Sequence, residues 1–215
     1  MKRIVLIGAG GHARVVWDTL ELIRERDDLQ VIAVLDDDPA LWGKRFAALT
    51  IDGPVQKIER VRADAALIAI GDNRARREVY ARVETLGVPF VNAIHPRAVI
   101  AGDVQLGAGV VAFANVVVNT GSRIGDNVIL NTACSVDHDC VIGAHAHIAP
   151  GVRLAGTITI GEGTLMGIGS IAIPNVTIGE WVTVGAGSVV TQDIPARVTV
   201  VGTPARIIHR GENLR

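Results

Sequence analysis

Residues 94–195 repeat every six positions without an insertion, and no other property of the chain restricts its fold as much. The first positions of the hexads, Ile94, Ile100, Leu106 and onward to Val184 and Val190, are aliphatic or Met at all seventeen steps. Fifth positions, from Ala98 to Ile194, are small or β-branched throughout, and second positions are mostly Gly, Ala, Asn or Asp. A 3.6-residue helical period would lose this register within a few turns. Two inward positions per hexad instead predict a solenoid of short parallel strands, one hexad per flat face and three per triangular coil, so that seventeen hexads make between five and six coils. The interior of such a prism is narrow. Aromatics are 3% of the chain, and only Phe113 and Trp181 fall within the repeat. The competing reading is an evenly spaced β-sandwich, whose loops vary in length and would break the register.

Upstream of the repeat the periodicity changes. Apolar, β-branched runs at 2–8, 30–35, 65–70 and 90–94 alternate with helix-like segments at 13–26 and 74–86. This order predicts a small Rossmann-like parallel sheet wrapped by helices. The expected domains are therefore 1–92, an α/β domain, and 93–215, the repeat with a C-terminal cap.

In parallel sheets ligands collect beyond the carboxyl ends of the strands. Those ends carry Gly8, Gly10, Gly11 and His12, then Asp36 and Asp37, then Gly71-Asp72-Asn73. Glycines before a helix let a phosphate approach backbone N–H groups, and Asp36 or Asp37 would accept from ribose hydroxyls or a base. The turn alone is compatible with a nucleotide or nucleotide-sugar site, a dinucleotide site, or a purely structural turn. Ala13 stands where a third Gly of the dinucleotide fingerprint would be, and only about ninety residues precede the repeat.

Within the hexads, His138 is a third position and His147 a sixth, so both point outward. A neutral His beside a carboxylate is the usual equipment of a general base near neutral pH, and His138-Asp139 supplies that pair. The competing reading is a solvated corner histidine. His138 and His147 are nine residues apart, half of an eighteen-residue coil, so one chain places them on opposite sides of the prism. A site using both lies between subunits, which for a three-sided prism suggests a cyclic trimer. Cys134 and Cys140 occupy inward fifth positions and read as core fillers. With no disulfide framework, a cytoplasmic location is expected.

The net charge of −1 supplies no basic field for nucleic acid. No stretch reaches the roughly 20 apolar residues of a membrane span, and the apolar start of the chain reads as a strand rather than a signal peptide. A zinc carbonic anhydrase is a further class to test, since His138, His145 and His147 lie close in sequence.

Taken together, the hexads, the segments His138-Asp139-Cys140-Val141-Ile142-Gly143 and His147-Ile148-Ala149-Pro150-Gly151, and the ending Val201-Gly202-Thr203-Pro204-Ala205-Arg206 resemble the hexapeptide-repeat acyltransferases. With Ile7-Gly8-Ala9-Gly10-Gly11-His12 and Leu35-Asp36-Asp37 in front, the chain is similar to the branch of sialic acid O-acetyltransferases and nucleotide-amino-sugar N-acetyltransferases. The resemblance implies a left-handed parallel β-helix, a homotrimer, and acetyl-CoA as co-substrate with no metal. It implies that His138 is the base and Asp139 its orienter, and that His147, Gly156, Ile168 and Ala186 line the acetyl-CoA groove. Asn131 matches a residue close to the reacting sugar. Gly10, Gly11, His12, Asp36, Asp37 and Gly71 match the pocket for the nucleotide part, and Arg206 is a candidate for the CoA phosphates. The acceptor is expected to be the amine of a nucleotide-linked amino-dideoxy sugar. A sugar hydroxyl, as in sialic acid, and a catalytically silent sugar-nucleotide sensor are the alternatives.

Overall fold

The computed structural model describes residues 1–210. In it Lys2–Ile7 forms strand β1, Gly11–Ile23 helix α1, Leu29–Leu35 β2, Arg45–Phe46 β3, Leu49–Gly53 β4, Ala65–Ile68 β5 and Asn73–Thr85 helix α2. The strand order is β3-β4-β2-β1-β5, parallel except for the β3/β4 hairpin. Ile4, Val5, Leu6 and Ile7 of β1 are all fully buried, as a central parallel strand covered on both faces requires. In α1 the buried side chains Ala13, Val16, Leu20 and Ile23 recur at helical spacing. Helix α2 starts where the Asp72 carboxylate accepts from the Ala75 N–H at 2.8 Å, an N-cap. Its Val79, Tyr80 and Val83 pack against Val5, Ile7, Leu35 and Ile68, and Tyr80 stacks on Phe90 with ring centroids 4.0 Å apart. The hairpin at β3 and β4 lacked an apolar run that would have announced it, and turns through Ala47 at φ 47.

The chain separates into two compact units, Met1–Pro96 and Arg97–Arg215. In the second, two-residue strands recur every six residues and pair in parallel with the strand eighteen residues on: Val117 with Ser135, Ser135 with Arg153, Arg153 with Ile171. They form three sheets. The first contains Val117–Val118, Ser135–Val136, Arg153–Leu154 and Ile171–Ala172, and the second Arg123–Ile124, Val141–Ile142, Thr159–Ile160 and Thr177–Ile178. The third contains Val111–Ala112, Ile129–Leu130, His147–Ile148, Leu165–Met166 and Thr183–Val184, and is extended by Val198–Val201 and the antiparallel Arg206–Arg210. This is a parallel β-helix of hexapeptide repeats. The first hexad residues from Ala112 to Val190 are buried, and so are the fifth residues from Val110 to Ile194. Two of the polar fifth residues bond within the stack: Ser122 Oγ donates to the Asp137 carbonyl at 2.9 Å and Thr164 Oγ1 to that of Gly179 at 2.6 Å, whereas the buried Ser170 hydroxyl has no partner among the described residues.

From Gly109 to Gly187 the corners turn on the fourth hexad residue, which adopts the left-handed conformation: Asn127 at φ 56, Asp139 at 57, His145 at 60, Thr157 at 61. Gly, Asn and Asp tolerate that region best, and they dominate these positions. Among the described residues no helix is long and apolar enough to cross a membrane.

Candidate active site

His138 and Asp139 are the third and fourth residues of a hexad, on the corner between the first and second sheets. Left-handed backbone at Asp139 brings its carboxylate back onto the preceding side chain, so that His138 Nδ1 lies 2.8 Å from Asp139 Oδ2. With the Nδ1–H donating to that carboxylate, the Nε2 lone pair is free to take a proton. The imidazole is 53% exposed. The hydrogen bond that His138 donates to Asp139, with the charges of Asp137 and Asp139 adding to it, raises the His138 pKa above the ordinary imidazole value.

Two neighbours hold this corner. Asp137 accepts from Asn119 Nδ2 at 2.7 Å and from the His138 backbone N–H at 2.8 Å, and these bonds lower its own pKa. Gly156, eighteen residues after His138, lies directly against the ring. A Cβ at that position would stand 2.5 Å from Nε2 and 2.6 Å from Cε1, so only a glycine admits the imidazole there.

His147 is carried elsewhere, on a strand of the third sheet, where its Nε2 lies 3.0 Å from Asn131 Nδ2. Asn131, expected near the reacting sugar, is thus the partner of His147, and its Oδ1 accepts from the Thr132 N–H. Ile168 and Ala186 are stacked at the corner between the third and first sheets, both exposed, with the Ile168 carbonyl accepting from the Gly187 N–H at 2.8 Å. Gly156 belongs to a different corner from Ile168 and Ala186. His145 pairs with Asn127, Nδ1 to Nδ2 at 2.9 Å, and among the described residues no three His, Cys, Asp or Glu side chains converge as metal ligands do. Burial pushes the Cys134 thiol up to about 12 and that of Cys140 upward as well, so neither is a thiolate nucleophile at neutral pH. Arg206 donates to the Ala205 carbonyl.

In the first unit the strand ends carry the other expected residues. The Asp36 carboxylate accepts from the Ala9 N–H at 2.8 Å and from the Asp38 N–H at 2.9 Å, tying the glycine turn to the end of β2. Asp37 accepts from the Val55 N–H and from Arg82 at 2.7 Å. Burial raises its pKa, but Arg82 and the Val55 N–H outweigh that and the net shift is downward. Each carboxylate keeps lone pairs for a further donor. Gly10 caps α1 with no side chain, and a Cβ at Gly10 or Gly11 would meet nothing within 4 Å, leaving the helix start open.

Sequence reasoning missed Arg76. It is fully buried, and burial holds its pKa down to about 9 against the opposing charge of Asp72. The guanidinium donates to the carbonyls of Ile70 at 3.2 Å and Gly71 at 3.1 Å, and to Asn73 Oδ1 at 2.9 Å. In a trans peptide the N–H points opposite to the C=O. Turning those two carbonyls inward therefore turns the Gly71 and Asp72 N–H groups the other way. The only hint in the sequence was an Arg on the apolar side of a helix.

Gly71 lies over His12, whose Cβ would be 3.6 Å from a Cβ there. Burial, then the charge of Arg76, lowers the His12 pKa to about 4. The unfolded chain thus binds this proton first, near pH 6.5, and stability falls between about pH 6.5 and 4 and levels off below. We expect His12→Asn to flatten that decline, by up to roughly 3 kcal/mol across the window. Urea titrations at pH 7.5 and 4.5 check it: equal losses in wild type and variant would refute the assignment.

An imidazole poised on a carboxylate at a corner of a hexapeptide β-helix, in a chain that begins with a small α/β unit, defines a hexapeptide-repeat transferase. Residues 3–83 match the PglD N-terminal domain and residues 121–156 the bacterial transferase hexapeptide repeat. The chain belongs to the NeuD/PglD-type family of sugar acetyltransferases. It is 32% identical over 148 residues to GDP-perosamine N-acetyltransferase of Escherichia coli O157:H7, covering 66% of this chain and 67% of that one. It also superposes on PerB from Caulobacter crescentus in complex with CoA and GDP-perosamine, with a TM-score of 0.88 and 39% identity over 97% of this chain and 98% of that one. The acetyltransferase domain of PglB from Neisseria gonorrhoeae FA1090 in complex with acetyl coenzyme A gives a TM-score of 0.88 and 33% identity over 96% and 99%.

Proposed function

We propose that this protein moves the acetyl group of acetyl-CoA to the amine of a nucleotide-linked amino-dideoxy sugar. The observation that carries this reading is the exposed His138–Asp139 pair over Gly156, in a chain similar along nearly its whole length to PerB. The amine nitrogen attacks the thioester carbonyl carbon, a C–N bond forms, and the tetrahedral intermediate collapses as the C–S bond to CoA breaks. His138 Nε2 takes the proton from the amine and passes it to the departing thiolate. A positioned base is worth about 10²- to 10⁴-fold. The developing oxyanion needs a donor, and among the described residues nothing accepts from the Gly156 N–H. That group, or His147, supplies the donor, worth roughly 3 kcal/mol. No acyl-enzyme forms, because both thiols are buried.

His147, Ile168 and Ala186 contact acetyl-CoA in this reading, Asn131 holds His147, and the first unit binds the nucleotide through Gly10, Gly11, His12, Asp36, Asp37 and Gly71. Because His138 and His147 sit on different parts of one coil, the working unit is a homotrimer whose grooves join them. Two free, buried cysteines fit a reducing cytoplasm.

The test is a panel of GDP-, UDP- and dTDP-linked amino sugars, GDP-perosamine first, read by release of free CoA thiol and by the mass of the product. No thiol release with any of them, or transfer to a hydroxyl, overturns the proposal. A second measurement addresses Asp139. Its bond raises the His138 pKa, so the acid limb of kcat/KM falls only below a pKa above the ordinary imidazole value. Asp139→Asn moves that limb to lower pH and costs about 10-fold in kcat. An unmoved limb would show that the pair does not titrate as drawn.

A further inference from the structure

We infer that the indole of Trp42 is the platform on which the base of the sugar nucleotide stacks; this rests on the nucleotide-sugar reading of the first unit and adds the residue that holds the base. Trp42 follows the turn Pro39–Leu41, beyond the carboxyl end of β2, and is 43% exposed. Among the described residues it is the only aromatic in the exposed class. Trp17 packs edge-on against Phe46, Tyr80 stacks on Phe90, and Phe113 is buried. This ring stands at a strand end where parallel sheets collect ligands.

The ring is pinned. Its Nε1–H donates to the Asp36 backbone carbonyl at 2.8 Å. The backbone on either side is fixed too: the Trp42 N–H donates to Pro39, the Gly43 N–H to Ile51, and the Asp38 carboxylate caps the turn by accepting from the Ala40 N–H. With its polar handle engaged, the indole offers only π-faces and apolar edges. Ordering it on a ligand costs little side-chain entropy.

Asp36 joins this ring to the glycine turn. Its carbonyl holds Trp42 while its carboxylate accepts from the Ala9 N–H at 2.8 Å. Two hydrogen bonds and one residue separate the indole nitrogen from the turn, a path of at most about 10 Å, the reach of some three extended residues. A nucleoside diphosphate bridges such a span, with its phosphates at the start of α1 and its base at the ring. Asp36 then serves as the brace that sets the distance between the two ends.

Stacking on an aromatic face tolerates any base and favours the larger purine surface. Calorimetric titration of the full-length protein with GDP and with UDP tests this, on wild type, Trp42→Ala and Trp42→Phe, with the KM for acetyl-CoA as a control on the second unit. GDP is expected to bind wild type more tightly than UDP. Trp42→Ala is expected to weaken GDP about 10- to 100-fold and to narrow that preference, and Trp42→Phe to stay within about 3-fold. The acetyl-CoA KM stays unchanged. GDP binding by Trp42→Ala within about 2-fold of wild type overturns the platform, as do equal losses in both variants, which would place the effect in the bond to Asp36. A parallel rise in the acetyl-CoA KM also counts against it. Wild type binding neither GDP nor UDP would instead refute the nucleotide reading of the first unit.

Discussion

His138→Ala is expected to lower kcat by roughly 10³-fold while leaving the affinities for acetyl-CoA and for the nucleotide within a few-fold of wild type. The imidazole is exposed, contributes nothing to the β-helix interior, and is tied to the protein through Asp139 and the Asp137-held backbone. Its removal therefore leaves the stack of buried first and fifth positions intact. What disappears is the acceptor for the amine proton. An acceptor amine that arrives protonated, or that must lose its proton to water, then limits turnover. Steady-state kinetics with saturating acetyl-CoA and a range of pH values would check this, since the residual rate should keep climbing with pH and lose the inflection that His138 sets in the wild type. Turnover near the wild-type value would remove His138 from the chemistry.

Gly156→Ala carries the second largest effect, and it separates position from identity. The substitution keeps the base and its partner, adding one methyl where a Cβ lies 2.5 Å from His138 Nε2. No left-handed φ is required of Gly156, so the backbone accepts Ala. The ring is the movable party, because it is exposed and free to swing on χ1 and χ2. We expect the melting temperature to shift by no more than about 2 °C. The rate should fall about 10²-fold, the cost of displacing a reacting group by about 1 Å. A swing away from Asp139 also lowers the imidazole pKa, so the acid limb moves with the rate. Undiminished kcat would show that the imidazole works from another rotamer, and a large loss of stability would show that Gly156 serves the coil instead.

Much of the architecture was legible before any coordinates. From Val110 onward the hexad register named the buried residues correctly, because each coil repeats the same strand geometry, so a local period of six is enough to sort inside from outside; Ile94, Ala98, Ile100, Val104 and Leu106, at the start of the repeat, are only partly buried. The two helices of the first unit were placed to within two or three residues by their apolar spacing. The short hairpin Arg45–Phe46 and Leu49–Gly53 escaped notice, since two short strands with one or two buried residues each leave no periodic trace.

The site residues were legible as types but not as partners. Asn131 and His147 lie sixteen residues apart, and only coil stacking sets their side chains 3.0 Å from each other. Asp36 looked like a ligand group from its place at a strand end, yet its first bonds are to Ala9 and Asp38, inside the protein. Arg76 was hidden because its place on the apolar side of the helix was a weak hint beside Arg74, Arg77 and Arg82, and only the packing shows that it alone of the four is buried. By itself, then, the sequence determined the repeat, the order of the two units and the chemistry available at each position, since these depend on local period and residue type. The tertiary structure alone decided that Asp139 folds back onto His138 and that Gly156 underlies the ring. Both depend on the sign of φ at one corner and on the residue one coil later, which no local pattern reports.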